Sequence, residues 1–305
     1  MSKASLSVIA LVLASLAGCD LMRFTASTSA SLFTRAGAAI EQHWDTELVG
    51  EGLPGSIMTL EGVFSVVPDD RELGISLARA YASYAYGWVE DEAEVAEAAG
   101  DLDRQAELNL RARLLYLRAR NIAIHLMRLR DAGIDEALRG EPDALSRYLS
   151  AHYTSREDAE LLFWVGYAWG AAIGVSYEDA GLVLDLPTAR MFIERAALLD
   201  ESYFHYSALL FLAASSSAVS ESLGGAPARG RVLFEQALAS TERHFFPVQL
   251  TYARTYALTM GDRALFVSLL REIIDGGDPD PSVRLANRLA RRRAIRYLRR
   301  VDELF

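Results

Sequence analysis

The chain has 305 residues, 51% of them hydrophobic, a formal net charge of −10 and one cysteine. That length and apolar content can bury a substantial core and argue against wholesale disorder. The acidic balance argues against nucleic acid as a general partner, and a lone cysteine excludes any disulfide within the chain.

The chain opens with Lys3, an apolar run from Leu6 to Leu16, the small pair Ala17 and Gly18, and then Cys19. The run is too short to span a bilayer and has the layout of a secretory signal. Its ending, Leu-Ala-Gly-Cys, resembles the lipobox of bacterial lipoproteins. The resemblance implies lipid on the Cys19 sulfur and cleavage that leaves this cysteine first. Two or more acyl chains would anchor the protein stably to a membrane. Asp20 leans the expectation toward the inner membrane by the enteric sorting rule, with the outer membrane left open. Residues 1–18 are therefore expected to be a signal peptide and residues 19–31, with TASTSAS, a lipidated tether. Residues 32–305 would form the folded, periplasmic part. Loss of the signal removes only Lys3 among charged residues and leaves a net charge of about −11. No later stretch of about 18 apolar residues lacks charge, so no second membrane segment is expected.

From residue 32 onward the pattern is helix after helix. Alanine, leucine, arginine and glutamate dominate, and all are good helix formers. Leu73, Leu77, Ala80, Tyr81, Tyr84 and Trp88 recur three and four apart, as do Leu115, Ala119, Ile122, Leu126 and Leu129. Glycine and proline punctuate the gaps near residues 50–56, 139–142, 223–227 and 275–281.

Small and large residues recur at the spacing of tetratricopeptide repeats, where a small residue lets two helices approach and a large one fills the space between pairs. Ala78 and Tyr81 pair with Ala112, Tyr116 and Ala119. Gly166 and Trp169 pair with Ala189, Ile193 and Ala196. Ala208 and Phe211 pair with Gly230, Phe234 and Ala237, and Ala253 and Tyr256 are followed loosely by Leu265 and Leu269. The expected fold class is all-α: a tetratricopeptide-like helical repeat of sequential antiparallel pairs, as an α-solenoid or a compact bundle, closed by a C-terminal capping helix. Insertions are expected near EDEAEVAEAAGDL and near SYEDAGLVLDLP.

The ensemble of residues also resembles a family. SVVPDDRELGISLARAYASYAYGWVED, the RARLLYLRAR helix, WVGYAWGAAI and the C-terminal ANRLARRRAIRYLRRVDELF carry the resemblance. Asn287, Ala290, Ala294, Leu298, Asp302 and Phe305 stand out in the last of these, and the pair Gly224 and Gly225 lies upstream. Together they resemble the T component (TatT) of tripartite ATP-independent periplasmic (TRAP) transporters. The resemblance implies a membrane-anchored periplasmic lipoprotein that associates with the solute-binding protein (P component) and binds rather than catalyses. The alternative reading is a general periplasmic repeat scaffold for envelope assembly.

No P-loop, dinucleotide-binding glycine motif, HExxH or GxSxG is present, and the five histidines lack metal-ligand spacing. No catalytic residue, metal or cofactor is therefore assigned. The acidic run Glu90, Asp91, Glu92 and Glu94 lacks the spacing of a calcium loop and reads as a solvated insertion. The eight arginines between Arg284 and Arg300 read as the charged outer face of the capping helix. In the repeat register, first helices line the inner surface through Ile75, Arg79, Phe163, Tyr167, His205, Leu209, Leu250 and Arg254. Of these, Arg79, Phe163, Tyr167, His205 and Arg254 are the candidate surface for a partner or a small organic ligand. The two arginines among aromatics suit an organic anion, although a surface ion pair would explain each equally well. A homo-oligomer is left open.

Overall fold

Aspartates start many of the helices, because a carboxylate placed just before the first turn accepts the backbone N–H groups that a helix leaves unpaired. The computed structural model describes residues 37–176, 178–218, 221 and 225–305. Asp45 caps α1 (Thr46–Val66), Asp70 caps α2 (Arg71–Tyr84) and Asp101 caps α4 (Leu102–Arg130). Between the last two, a π-helical turn (Ala85–Val89) leads without a break into α3 (Glu90–Ala98). There follow α5 (Ile134–Arg139), α6 (Pro142–His152), α7 (Asp158–Gly174), α8 (Ala180–Val183) and α9 (Leu186–Leu199). Next come α10 (Tyr203–Ser217), α11 (Pro227–Ser240) and α12 (Pro247–Tyr252), the last continuing through a second π-helical turn (Ala253–Ala257). α13 (Arg263–Asp275), α14 (Arg284–Arg299) and α15 (Val301–Leu304) close the chain. Among the described residues the regular elements are all helical. The expected signal peptide and tether, with Cys19, lie outside the described residues, as does Gly224 of the glycine pair.

Helices pack mainly in consecutive order: α2 on α4, α4 on α7, α7 on α9, α10 on α11, and α13 on α14. The small residues that the spacing placed at contacts are where expected. Ala78, Ala112, Ala119, Ala189, Ala196 and Ala237 are all buried. A Cβ built on Gly166 would lie 2.7 Å from Ile193 Cγ1 and 2.8 Å from the Ala189 carbonyl. Only glycine permits that approach of α7 to α9. Gly50 plays a similar part in α1: the Trp88 indole lies against its bare backbone and donates Nε1–H to Thr46 O at 3.0 Å.

Two hydrophobic clusters result. One runs from Leu53 to Leu212; the other takes in Leu209, Ala213 and the helices that follow. They meet along α10. Asn287 ties the second together: its amide donates to His244 O and its carbonyl accepts the Phe246 N–H, both at 2.8 Å. Phe305 at the chain end packs on Phe266.

Two expectations are corrected. The acidic run is no solvated insertion: it is helix α3, and Asp91 and Glu94 are buried. The arginines of α14 do not all face outward, since Arg293 is 1% exposed. The acids and the arginines, about 200 residues apart in sequence, neutralise each other in the interior.

Candidate functional site

A cavity of about 430 Å³ opens between the two hydrophobic clusters. Tyr86 and Trp88 reach it from the first π-helical turn, Glu90 from the start of α3, Tyr116 from α4, and Trp164 and Tyr167 from α7. Phe204, His205 and Phe211 come from α10, Thr251 from α12, Arg254 and Thr255 from the second π-helical turn, and Leu285 and Leu289 from α14. Both π-helical turns thus contribute to its wall. A π turn carries an extra residue, which re-aims the side chains around it, and such turns concentrate at functional sites.

Three consecutive non-glycine residues at the start of α10 have left-handed backbone: Phe204 (φ 48°), His205 (φ 57°) and Tyr206 (φ 60°). Left-handed geometry costs about 1–2 kcal/mol per residue for L-amino acids. The turn swings Phe204 onto Trp164, at a ring separation of 5.1 Å, and His205 onto Phe245 at 4.9 Å. Among the described residues the other non-glycine positions with positive φ are Glu242, which lines a second cavity of about 310 Å³, and Arg243 next to it in sequence. His205, Phe245 and Val283 line both cavities.

Behind the first cavity lies a buried ion cluster. Glu94 Oε1 is 2.8 Å from Arg254 Nη2 and 2.9 Å from Arg293 Nη2, and Arg296 binds the other oxygen. Asp91 pairs with Arg292 and Arg296, each at 2.8 Å, and Arg292 also donates to Gly87 O at 3.0 Å inside the π turn. Desolvation would raise the Glu94 carboxyl, but Arg254, Arg293 and Arg296 prevail and hold it at about 2. Glu90 behaves oppositely. Burial raises it above the usual carboxylate range despite Arg293 and the hydroxyl of Tyr116, which donates to it. Burial and the Glu90 charge push the Tyr116 hydroxyl well up. His205 is lowered, first by burial.

Of the residues singled out in the sequence, Tyr167, His205 and Arg254 line the cavity together. Phe163 does not. It is fully buried among Trp164, Tyr167, Tyr203 and Phe204. Arg79 lies outside the wall, ion-paired with Glu41 and stacked over Phe204 at 5.1 Å. Arg254 shares the Glu94 carboxylate with Arg293 and Arg296 and stacks over Tyr297. Sequence reasoning missed Glu90 as a cavity residue. Tyr86 and Trp164 lie in runs dense in tyrosine and tryptophan, a pattern that suits an aromatic pocket as well as core packing, and both line the cavity. Among the described residues no group of acids, histidines or cysteines could hold a metal ion, and no helix is long and apolar enough to cross a membrane.

Residues 42–305 match the family model described as TRAP transporter T-component. The chain is also similar to a protein of Treponema pallidum (strain Nichols) described as uncharacterized. The two are 28% identical over 264 residues, a match covering 86% of this chain and 80% of that protein.

Proposed function

This chain belongs to the TRAP transporter T-component family, and on that premise we propose that it is a non-enzymatic accessory of a TRAP uptake system. It docks the periplasmic solute-binding protein and holds a small organic ligand in the cavity between its two clusters. The observation that carries the reading is the family match, which spans all but the first 41 residues. The cavity supports the ligand half. It is concave and largely aromatic with a few polar groups, the usual make-up of a small-molecule site. Arg254, Tyr167 and His205 belong to its wall; Arg79 and Phe163 support that wall from behind.

In this reading the protein is a periplasmic lipoprotein. Lipid on Cys19 holds it to a membrane, and the helical part is a tetratricopeptide-like array. The motif before Cys19 and the small-residue contacts between consecutive helices support these points. The test is affinity capture of the tagged full-length chain from native membranes. A TRAP solute-binding protein should be recovered with it. Recovery of envelope-assembly proteins without that partner would favour a general scaffold instead.

A further inference from the structure

We infer that Arg292 is a positioning residue for the cavity: from the C-terminal helix it holds the first π-helical turn in register, and that turn aims Tyr86, Trp88 and Glu90 at the ligand. The inference rests on the reading of the cavity as a ligand site and assigns what keeps its wall in place.

The turn needs support from outside itself. Glu90 N–H bonds Ala85 O, five residues back, where an α-helix would bond four back. The segment Ala-Tyr-Gly-Trp-Val holds no proline, so nothing local forbids the α register. A return to that register would rotate Glu90 and the acids of α3 relative to α2 by about 100°, the angle of one helical residue.

The support comes from α14. Arg292 Nη2 donates to Gly87 O at 3.0 Å and pairs with Asp91 Oδ2 at 2.8 Å, so one nitrogen grips the middle of the π turn and the first turn of α3 together. Leu289 packs on the bare backbone of Gly87, where a Cβ would lie 3.0 Å from Leu289 Cδ1. Arg293 stacks over the Tyr86 ring at 4.5 Å. Tyr86, Trp88 and Glu90 are the side chains that this stretch presents to the cavity.

Charge alone does not account for Arg292. Four guanidiniums, those of Arg254, Arg292, Arg293 and Arg296, meet three carboxylates, those of Glu90, Asp91 and Glu94. Asp91 already has Arg296 at 2.8 Å, and the side chain of Arg292 is 36% exposed against 2% for Arg293. The cluster would balance without Arg292. Buried ion groups are weak evidence for stability, and their best-attested use is to fix register. The neutral Gly87 carbonyl is the acceptor that only Arg292 serves in this cluster.

The experiment titrates the full-length protein with N-phenyl-1-naphthylamine, an uncharged apolar fluorophore, beside urea unfolding of the same variants. Arg292→Met leaves three guanidiniums facing three carboxylates, so its stability should fall much less than that of Glu94→Gln. Its affinity for the fluorophore should nonetheless fall at least about tenfold, the order of one lost hydrogen bond to a charged group. Its near-ultraviolet circular dichroism should change, and the change should be absent when Trp88→Phe is already in place. Arg288→Met, which removes an exposed arginine one turn earlier on the same helix, should bind the fluorophore like the wild type. Should Arg292→Met not fold, Arg292→Lys carries the test: it keeps the charge without the planar guanidinium and should weaken binding in the same direction. Wild-type affinity in folded Arg292→Met or, failing that, in Arg292→Lys would overturn the assignment and leave the ligand cavity standing, as would an equal loss in Arg288→Met. A stability loss as large as that of Glu94→Gln would make Arg292 an ordinary member of the ion cluster and overturn the assignment too. No binding of the fluorophore by the wild type would overturn the assignment and the cavity reading together, whereas docking of the solute-binding protein is measured without this probe.

Discussion

Replacing Glu94 by glutamine should destabilise the protein more than any surface charge change. The Glu94 carboxylate sits between Arg254, Arg293 and Arg296, and its pKa falls from 4.5 to about 2 on folding. At 1.36 kcal/mol per unit, that difference corresponds to about 3 kcal/mol at neutral pH. Removing one member of a buried ion group also leaves its partners uncompensated, which costs about 3–5 kcal/mol. The sign with pH follows. A lowered carboxyl stabilises above its unfolded value, and the contribution is lost as pH falls from about 4.5 through about 2. Glu90 has the opposite sign, because burial raises it; its contribution is present at low pH and is lost as pH rises through its folded value. Urea unfolding is the suitable assay, since guanidinium chloride would screen the pairs under study. Glu94→Gln should lower stability by about 3 kcal/mol at pH 7 and flatten the acid limb. Adding Arg293→Met should recover part of the loss, because the pair interact directly at 2.9 Å. A loss under about 1 kcal/mol with an unchanged acid limb would refute the ion-cluster argument.

Further expectations concern single positions. Gly166→Val should overpack α7 against α9 and cost about 1–3 kcal/mol in thermal or urea unfolding, because a Cβ there would lie only 2.7 Å from Ile193 Cγ1; unchanged stability would contradict that contact. Glu242 occupies the position after α11 where glycine is usual: its φ is 49° and Arg243 N–H bonds Leu238 O at 2.9 Å, the closing bond of a helix C-terminal motif. Glu242→Gly should therefore stabilise by about 0.5–1 kcal/mol, and destabilisation in the same assay would count against the left-handed geometry. Cys19→Ala should release the protein from membranes or block its processing in fractionation experiments, and full retention with normal processing would defeat the lipid anchor. Glu94→Gln should also free Arg254 and raise benzoate binding, measured by dialysis; no gain would mean that Arg254 does not face the ligand.

The helical class and the pairing of consecutive helices were legible because they rest on local spacing. Ala112, Tyr116 and Ala119 announce one helix face without reference to anything distant. The cavity was only partly legible. Tyr167, His205 and Arg254 fall on its wall because α7, α10 and the second π-helical turn converge there. Phe163, four residues before Tyr167, turns into the core, because α7 is buried on nearly all sides and has no free inner face. The acidic run and the C-terminal arginines were each legible as charge and each misread as surface. Their pairing spans about 200 residues, and no local pattern reports a contact of that separation. The π-helical turns and the left-handed turn at Phe204–Tyr206 leave no composition signal either. They are backbone states that tertiary packing imposes, and they put Glu90 and His205 on the cavity.

The central claim is that this T component works by docking a solute-binding protein. The most direct measurement is calorimetric titration of the full-length protein with the solute-binding protein of its own TRAP system, once loaded with solute and once empty. The account predicts saturable binding in at least one state. No heat of binding in either state, with both proteins folded, would contradict it.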